Sequence, residues 1–153
     1  MIFPFIIPGL GTLALHAALV LNGIPVVTTG YGCESNPHQL GGFHTGTREI
    51  VVCEGNLRPY GITANEVIRH EAIHVIHTNL GYHDHPSDQT ILSEETLGFI
   101  VENTLSPEEI QTIILSYDPR IINQEFEARL GQRLPDGVVA TGLVASQIIG
   151  VFQ

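Results

Sequence analysis

Five consecutive residues of this chain have the types and the spacing of a zinc site: His70, Glu71, Ala72, Ile73 and His74. Residues four apart on an α-helix lie one turn above each other on the same face, so both imidazoles can reach one metal ion. The intervening glutamate is placed to take a proton from a water molecule at that metal. The pattern therefore predicts His70 and His74 as zinc ligands and Glu71 as a catalytic general base.

The sequence around this motif predicts the helix that the two ligands require. Thr63 and Glu66 have the spacing of a capping box, which begins a helix, and Gly81 follows as a stop signal. An apolar stripe with helical spacing runs between these signals, formed by Ile68, Ala72, Ile73 and Ile76. The helix is predicted from about Ala64 to Asn79.

A catalytic zinc ion keeps three protein ligands and one open position, so a third ligand must come from another element. No histidine follows His74 at the spacing of a metzincin site, which leaves a carboxylate on a later helix, the gluzincin arrangement. Glu125 is favoured because the small Ala128, three residues later, would let its helix approach closely. Glu94 is the alternative, and the sequence leaves both open.

Other side chains near the predicted site receive secondary roles. His77, one turn beyond His74, is expected to line the cleft. Tyr117 is either a hydrogen-bond donor to the developing oxyanion or a half-buried core residue. Glu127 is predicted to point away from Glu125 into solvent. His16, in an apolar N-terminal segment, is predicted to be a core side chain.

The remaining pattern predicts a small sheet followed by a helical C-terminal half. Strands are predicted at 24–29 and 48–53, with a loop over 30–46 between them. The second strand is predicted to be an edge strand, to which an extended peptide could add. Helices are predicted over 12–22, within 87–103, from 106, over 118–130 and over 138–151. Together with the chain length, these elements predict one α+β domain over residues 1–153.

The composition narrows the choice of partners. The net charge is −10, and all six basic residues are arginine, which argues against nucleic acid as a partner. The first 33 residues carry no charged side chain, and 5–27 is nearly continuous apolar sequence. However, Pro8, Gly9 and Gly23 interrupt this run, and the basic start of a signal peptide is missing. The sequence therefore favours a buried helix and a cytoplasmic protein, with membrane association through this segment as the alternative.

Two cysteines are too few for a disulfide framework. Cys33 and Cys53 are therefore either free core thiols or the two halves of one bridge. Their spacing is unlike that of a second zinc site.

Three segments resemble a known family in order and spacing: Leu40-Gly41-Gly42-Phe43, then 50–56, then the motif at 70–74. They are similar to the mitochondrial inner-membrane metallopeptidases that process an ATP synthase subunit and assist its assembly. The resemblance covers about residues 33–78. It implies a minimal zincin-like domain, a zinc cofactor and Glu71 as the acid/base residue. The family is richer in cysteine, usually has Asp where His77 stands, and places its third ligand at a spacing closer to that of Glu94.

The sequence thus predicts a zinc-dependent metalloendopeptidase that acts on a peptide or protein substrate. One alternative is a zincin-fold assembly factor or binding module that retains zinc without required proteolysis, although the intact Glu71 argues against it. Peptide deformylase also carries this metal motif, but its cysteine ligand stands in a Glu-Gly-Cys context. Cys53 stands in the reverse order, Cys-Glu-Gly, close before the motif, which disfavours that enzyme.

Overall fold

The computed structural model describes residues 10–28, 32–82 and 89–152. Over these ranges the chain has an α+β fold with one three-stranded sheet, which confirms the predicted class. The strands are β1 (Val26–Val27), β2 (Gly41–His44) and β3 (Glu49–Val52). The α-helices are α1 (Leu10–Leu21), α2 (Glu54–Leu57), α3 (Ala64–Asn79), α4 (Glu94–Thr104), α5 (Pro107–Ser116), α6 (Ile122–Gly131) and α7 (Asp136–Val151), with a 3-10 turn at Arg58–Tyr60.

The sheet has the order β1-β3-β2. β1 pairs parallel with β3, and β2 pairs antiparallel with it, with Gly42 opposite Val51. The prediction that the strand at 48–53 lies at the edge was therefore wrong, because β3 is central. β2 is an edge strand, although the sequence assigned 41–44 to a loop. Two of its four residues are glycine, which lowers the strand propensity of β2, and it forms because β3 supplies the ladder.

Helix α3, which carries the metal motif, has the predicted bounds. The Thr63 hydroxyl accepts a hydrogen bond from the Glu66 N–H, and the Glu66 side chain accepts one from the Thr63 N–H, so the capping box is present. The helix ends before Gly81, whose φ of 76° is readily adopted by glycine. Its buried face joins the main core, which includes Leu15, Leu19, Ile50, Val52, Ala72, Val75 and Leu143.

Helices α4, α5 and α6 enclose a second, smaller core of Leu97, Val101, Leu105, Ile113 and Phe126. The predicted start of α5 is confirmed, with a capping box between Ser106 and Glu109. α6 begins at Ile122 instead of at 118. The Asp118 side chain accepts a hydrogen bond from the Arg120 N–H, and this local bond favours a turn over a helical start.

Helix α1 packs along α7 and buries Leu15, Ala18 and Leu19 on one face. His16 lies outside that stripe and is exposed, so its predicted core position was wrong. None of the helices in the described ranges is long and apolar enough to cross a membrane. Residues 1–9, the start of the uncharged segment, and residue 29 of the predicted first strand lie outside the described residues.

A disulfide bond joins Cys33 to Cys53, which decides between the two alternatives that the sequence left for these cysteines. The bond ties the loop before β2 to the end of β3. Beside it, Nδ2 of Asn56 lies 3.0 Å from the carbonyl oxygen of Cys33 and 2.8 Å from that of Gln39. These contacts fix the loop that leads into the edge strand.

Candidate metal centre

Three of the predicted site residues come together between α3 and α6. His70 and His74 lie one turn apart on α3, and Glu125 lies on α6. Their ligand atoms all lie within 4.8 Å of one another, so the cluster could hold a metal ion. Nε2 of His70 is 3.4 Å from Oε2 of Glu125, and Nε2 of His74 is 3.3 Å from Oε1. Each carboxylate oxygen therefore faces one imidazole.

The hydrogen bonding of this cluster also fits a metal ion. Oε2 of Glu125 is buried, and the His70 nitrogen that faces it, at 3.4 Å, lies at the limit of hydrogen bonding. A buried carboxylate oxygen with such weak hydrogen bonding is costly, and a cation held between the three side chains would compensate it.

The electrostatics of the cluster keep the carboxylate ionised. Burial raises the pKa of Glu125, but hydrogen bonds and charge from His70 and His74 outweigh it and lower the pKa to about 2. Burial lowers the pKa of His74, whereas its bond to Glu125 and the nearby charges of Glu71 and Glu125 raise it, with a net rise. The Glu125 carboxylate is therefore ionised at neutral pH, the form in which it can bind a cation.

The alternative third ligand is placed elsewhere. Glu94 is exposed in the first turn of α4, and the cluster formed by the two histidines does not include it. Leu97, one turn later, is buried in the second core and sets the orientation of this helix. The structure therefore brings Glu125, and not Glu94, to His70 and His74.

Glu71 lies between the cluster and the space where a substrate could bind. A cavity of about 260 Å³ at the metal cluster is lined by His70, Glu71, His74 and Glu125, together with 41–43 of β2. A larger cleft of about 530 Å³ adjoins it. Gly41, His70, Glu71 and Tyr117 line both spaces, so they form one continuous site.

Strand β2 passes very close to α3 at Gly41. A Cβ atom there would overlap the side chain of Val67, lie 2.7 Å from the carbonyl oxygen of Val51 and lie 3.7 Å from Oε1 of Glu71. At Gly42 the same atom would make only an ordinary contact at 3.8 Å. Glycine at 41 is therefore what lets the edge strand lie directly beside the predicted general base.

Tyr117 follows α5 and faces the same space. Burial, followed by the charges of Glu125 and Glu71, raises the pKa of its hydroxyl group to about 12. The hydroxyl group therefore stays protonated and able to donate a hydrogen bond over the ordinary pH range. Tyr117 is 38% exposed and belongs to neither hydrophobic core.

Two expectations for this region were wrong. His77 is fully buried and lines neither space, and burial lowers its pKa. Glu127 is buried instead of solvated, because α6 is covered on that side as well. Its Oε2 lies 2.7 Å from Nε2 of His77, and it accepts hydrogen bonds from the N–H groups of Ile91 and Leu92. A carboxylate can be buried where such partners surround it.

Arg129 also belongs to this site, and sequence reasoning gave it no role. It lies one helical turn after Glu125 on α6 and lines the larger cleft. The spacing of four residues from a candidate ligand was the available signal, since such residues share a helix face.

Comparison of the chain with protein-family models, with curated proteins and with solved structures finds no match in any of the three. What this chain does must therefore be inferred from its own residues and from the geometry of this site.

Proposed function

We propose that this chain is a zinc-dependent metalloendopeptidase. One observation carries the proposal: His70, His74 and Glu125 converge at a cavity that Glu71 also lines, and this cavity opens into a cleft beside an edge strand. Ligands, a general base and a place for an extended substrate are thus adjacent.

Zinc is a metal that these donors suit. Catalytic zinc sites use three protein ligands, and two imidazoles with one carboxylate are an established set. Magnesium and calcium prefer oxygen ligands throughout, which the two imidazoles do not provide. When bound, zinc supplies Lewis-acid activation of water and of the substrate carbonyl group.

The protein groups would then divide the proton transfers between them. Glu71 accepts a proton from the attacking water and passes it to the leaving nitrogen of the peptide. Tyr117 donates a hydrogen bond to the oxygen of the tetrahedral carbon, because its raised pKa keeps its proton in place. Both side chains line the two joined spaces, as these roles require.

The edge strand supports a peptide as the substrate. The Cys53 N–H bonds to the carbonyl oxygen of Leu40, so these two residues form a hydrogen-bonded pair of the antiparallel ladder. Such pairs alternate along a ladder, which means that Gly41 and Phe43 direct their N–H and C=O groups away from β3. Both residues line the metal cavity. An extended peptide could bond to these groups as a further strand.

The test is cleavage of a peptide library by the zinc-loaded protein. Glu71→Gln should retain zinc and lose cleavage by about 100-fold or more, as expected for removal of a general base. Glu94→Gln is the matched control, because this glutamate is exposed and outside the cluster. It should cleave like the wild type.

Two results would contradict the proposal. Cleavage by Glu71→Gln at the wild-type rate would remove the proposed mechanism. A wild-type protein that binds zinc and peptides but cleaves none of the library would favour the alternative, a binding module or assembly factor that keeps the zincin-like site.

A further inference from the structure

The larger cleft contains a guanidinium group that the proposed chemistry does not use. Arg129 lies on α6, four residues after Glu125, so both side chains are on one helix face. It is the one arginine among the described residues that line this cleft. Arg129 therefore lies about one helical turn along α6 from Glu125, a member of the metal cluster.

Arg129, like Arg48 and Arg58, forms no ion pair with a carboxylate of the described residues, but of these three it is the one that lines the cleft. Three arginines form ion pairs, namely Arg69 with Asp136, Arg120 with Asp118 and Arg133 with Glu109. Within the described ranges no ion pair joins Arg129 to a carboxylate. It does not pair even with Glu125, whose oxygens face the two imidazoles.

The hydrogen bonding of Arg129 is also incomplete. Its Nε atom is buried and has no partner among the described residues. The side-chain bond that it makes within the described ranges, from NH1 to Oε1 of Gln132, is 3.5 Å long and lies at the limit of hydrogen bonding. A buried N–H without a partner is costly, and more so on a charged group.

Nearby residues do not provide a carboxylate partner for the guanidinium group of Arg129. Glu109 is close enough to Arg129 for an electrostatic interaction. However, the oxygens of Glu109 already accept hydrogen bonds from Arg133 and from the Ser106 N–H. Tyr117 also lies within range of that charge, and its hydroxyl group is neutral. The other polar groups of the cleft are largely neutral, such as Gln39 and Thr112, with Glu71 as the carboxylate among them.

We infer that Arg129 is a subsite that binds a carboxylate of the peptide substrate. A guanidinium group presents paired N–H donors in a planar fork, which matches a carboxylate in two parallel bonds. The inference rests on the proposed peptidase function and adds a preference in the substrate. The protein carries a net charge of −10, so an acidic group meets mostly unfavourable charge on its surface. Arg129 is a positive charge in the cleft without a carboxylate partner, so an acidic group would bind preferentially there.

The carboxylate can belong to an Asp or Glu side chain or to the C terminus of the peptide. The test therefore uses fluorescent hexapeptides in which Glu or Gln occupies each position in turn, each with a free or an amidated C terminus. Dissociation constants are measured on zinc-loaded Glu71→Gln protein, and kcat/KM is measured on the protein with Glu71 intact. A Glu-over-Gln preference identifies the side chain as the source, whereas an acid-over-amide preference identifies the C terminus.

We expect one carboxylate to improve binding by about 10-fold or more, as is typical of charge-assisted hydrogen bonds. Arg129→Gln should reduce this ratio to about 1, and Arg129→Lys should retain part of it, since the charge remains without the fork. Arg58→Gln is the matched control, because Arg58 is exposed and outside the cleft lining. It should keep the full ratio.

Equal affinity for acidic and amide peptides in the wild type would overturn this inference, as would an acidic preference that survives in Arg129→Gln. Either result is compatible with cleavage and leaves the peptidase proposal standing. A zinc-loaded protein that neither binds nor cleaves any of these peptides would overturn both.

Discussion

We expect Glu127→Ala to destabilise the protein by about 2–3 kcal/mol, the upper part of the cost of leaving a buried hydrogen-bonding group without its partner. The Glu127 side chain is only 4% exposed. It accepts hydrogen bonds at 2.9 Å from the Ile91 N–H and at 2.7 Å from the Leu92 N–H, and it lies 2.7 Å from Nε2 of His77. Glu127 therefore connects the segment at 91–92 and helix α3 to helix α6, and Glu125 also lies on α6.

The magnitude follows from what the substitution leaves behind. Burial lowers the pKa of His77, so its ring is neutral, and leaving its Nε2 buried without a hydrogen-bond partner costs about 1–3 kcal/mol. Because His77 is fully buried, water cannot replace the lost partner. The two N–H groups belong to residues that are partly exposed, so water can replace their lost acceptor. Glu127→Gln keeps one carbonyl oxygen and should cost only about 1–2 kcal/mol, within the range for one impaired buried hydrogen bond.

The assay is urea unfolding followed by far-ultraviolet circular dichroism, with a chelator present so that bound metal adds no stability. Glu102→Ala is the matched control, since Glu102 is an exposed residue of α4. It should stay within about 0.5 kcal/mol of the wild type. If Glu127→Ala also stays within that range, the burial and bonding that we assign to Glu127 are refuted.

Three further outcomes follow from the structure. Burial raises the pKa of Asp136, but hydrogen bonds from α1 and α3 and the charge of a guanidinium group outweigh it, so the pKa is lowered. The contribution of Asp136 to the free energy of unfolding is therefore complete above the ordinary value of 3.8 and is lost as the pH falls through the lowered folded value. Asp136→Asn should thus melt below the wild type at neutral pH, with the difference shrinking at acid pH, and a constant difference would contradict this. Gly41→Ala should weaken zinc and peptide binding by pushing β2 away from Val67, whereas Gly42→Ala should not, and equal effects would contradict the close approach. Reduction of the Cys33–Cys53 bond, with a separation of 20 residues, should cost about 3 kcal/mol in urea unfolding, and identical midpoints for the oxidised and reduced protein would contradict it.

The parts of the fold that local signals determine could be predicted from the sequence. The capping box, apolar stripe and following glycine of α3 act within one helix, and its predicted bounds, about Ala64 to Asn79, match. The same holds for the start of α5, where Ser106, Pro107 and Glu109 each act within one turn. His70, Glu71 and His74 share a helix face for the same local reason.

Features that depend on contacts distant in sequence were harder to predict. Strand β2 exists because β3 pairs with it and because Gly41 fits against α3, and neither condition is visible in the segment itself. Glu127 has the sequence pattern of a surface charge, because the groups that bury and bond it, on α3 and at 91–92, are distant from it along the chain. The choice between Glu94 and Glu125 depended on how α4 and α6 pack, which sequence spacing does not determine.

The proposed zinc site is tested most directly by titrating chelator-treated protein with Zn²⁺ and measuring the affinity and the bound metal per chain. We expect one zinc ion per wild-type chain, and a loss of affinity of at least about 100-fold in Glu125→Ala, since even residues that only support a ligand are worth 10–100-fold. Glu94→Ala should bind like the wild type. Wild-type zinc affinity in Glu125→Ala, or a loss confined to Glu94→Ala, would contradict the site formed by His70, His74 and Glu125.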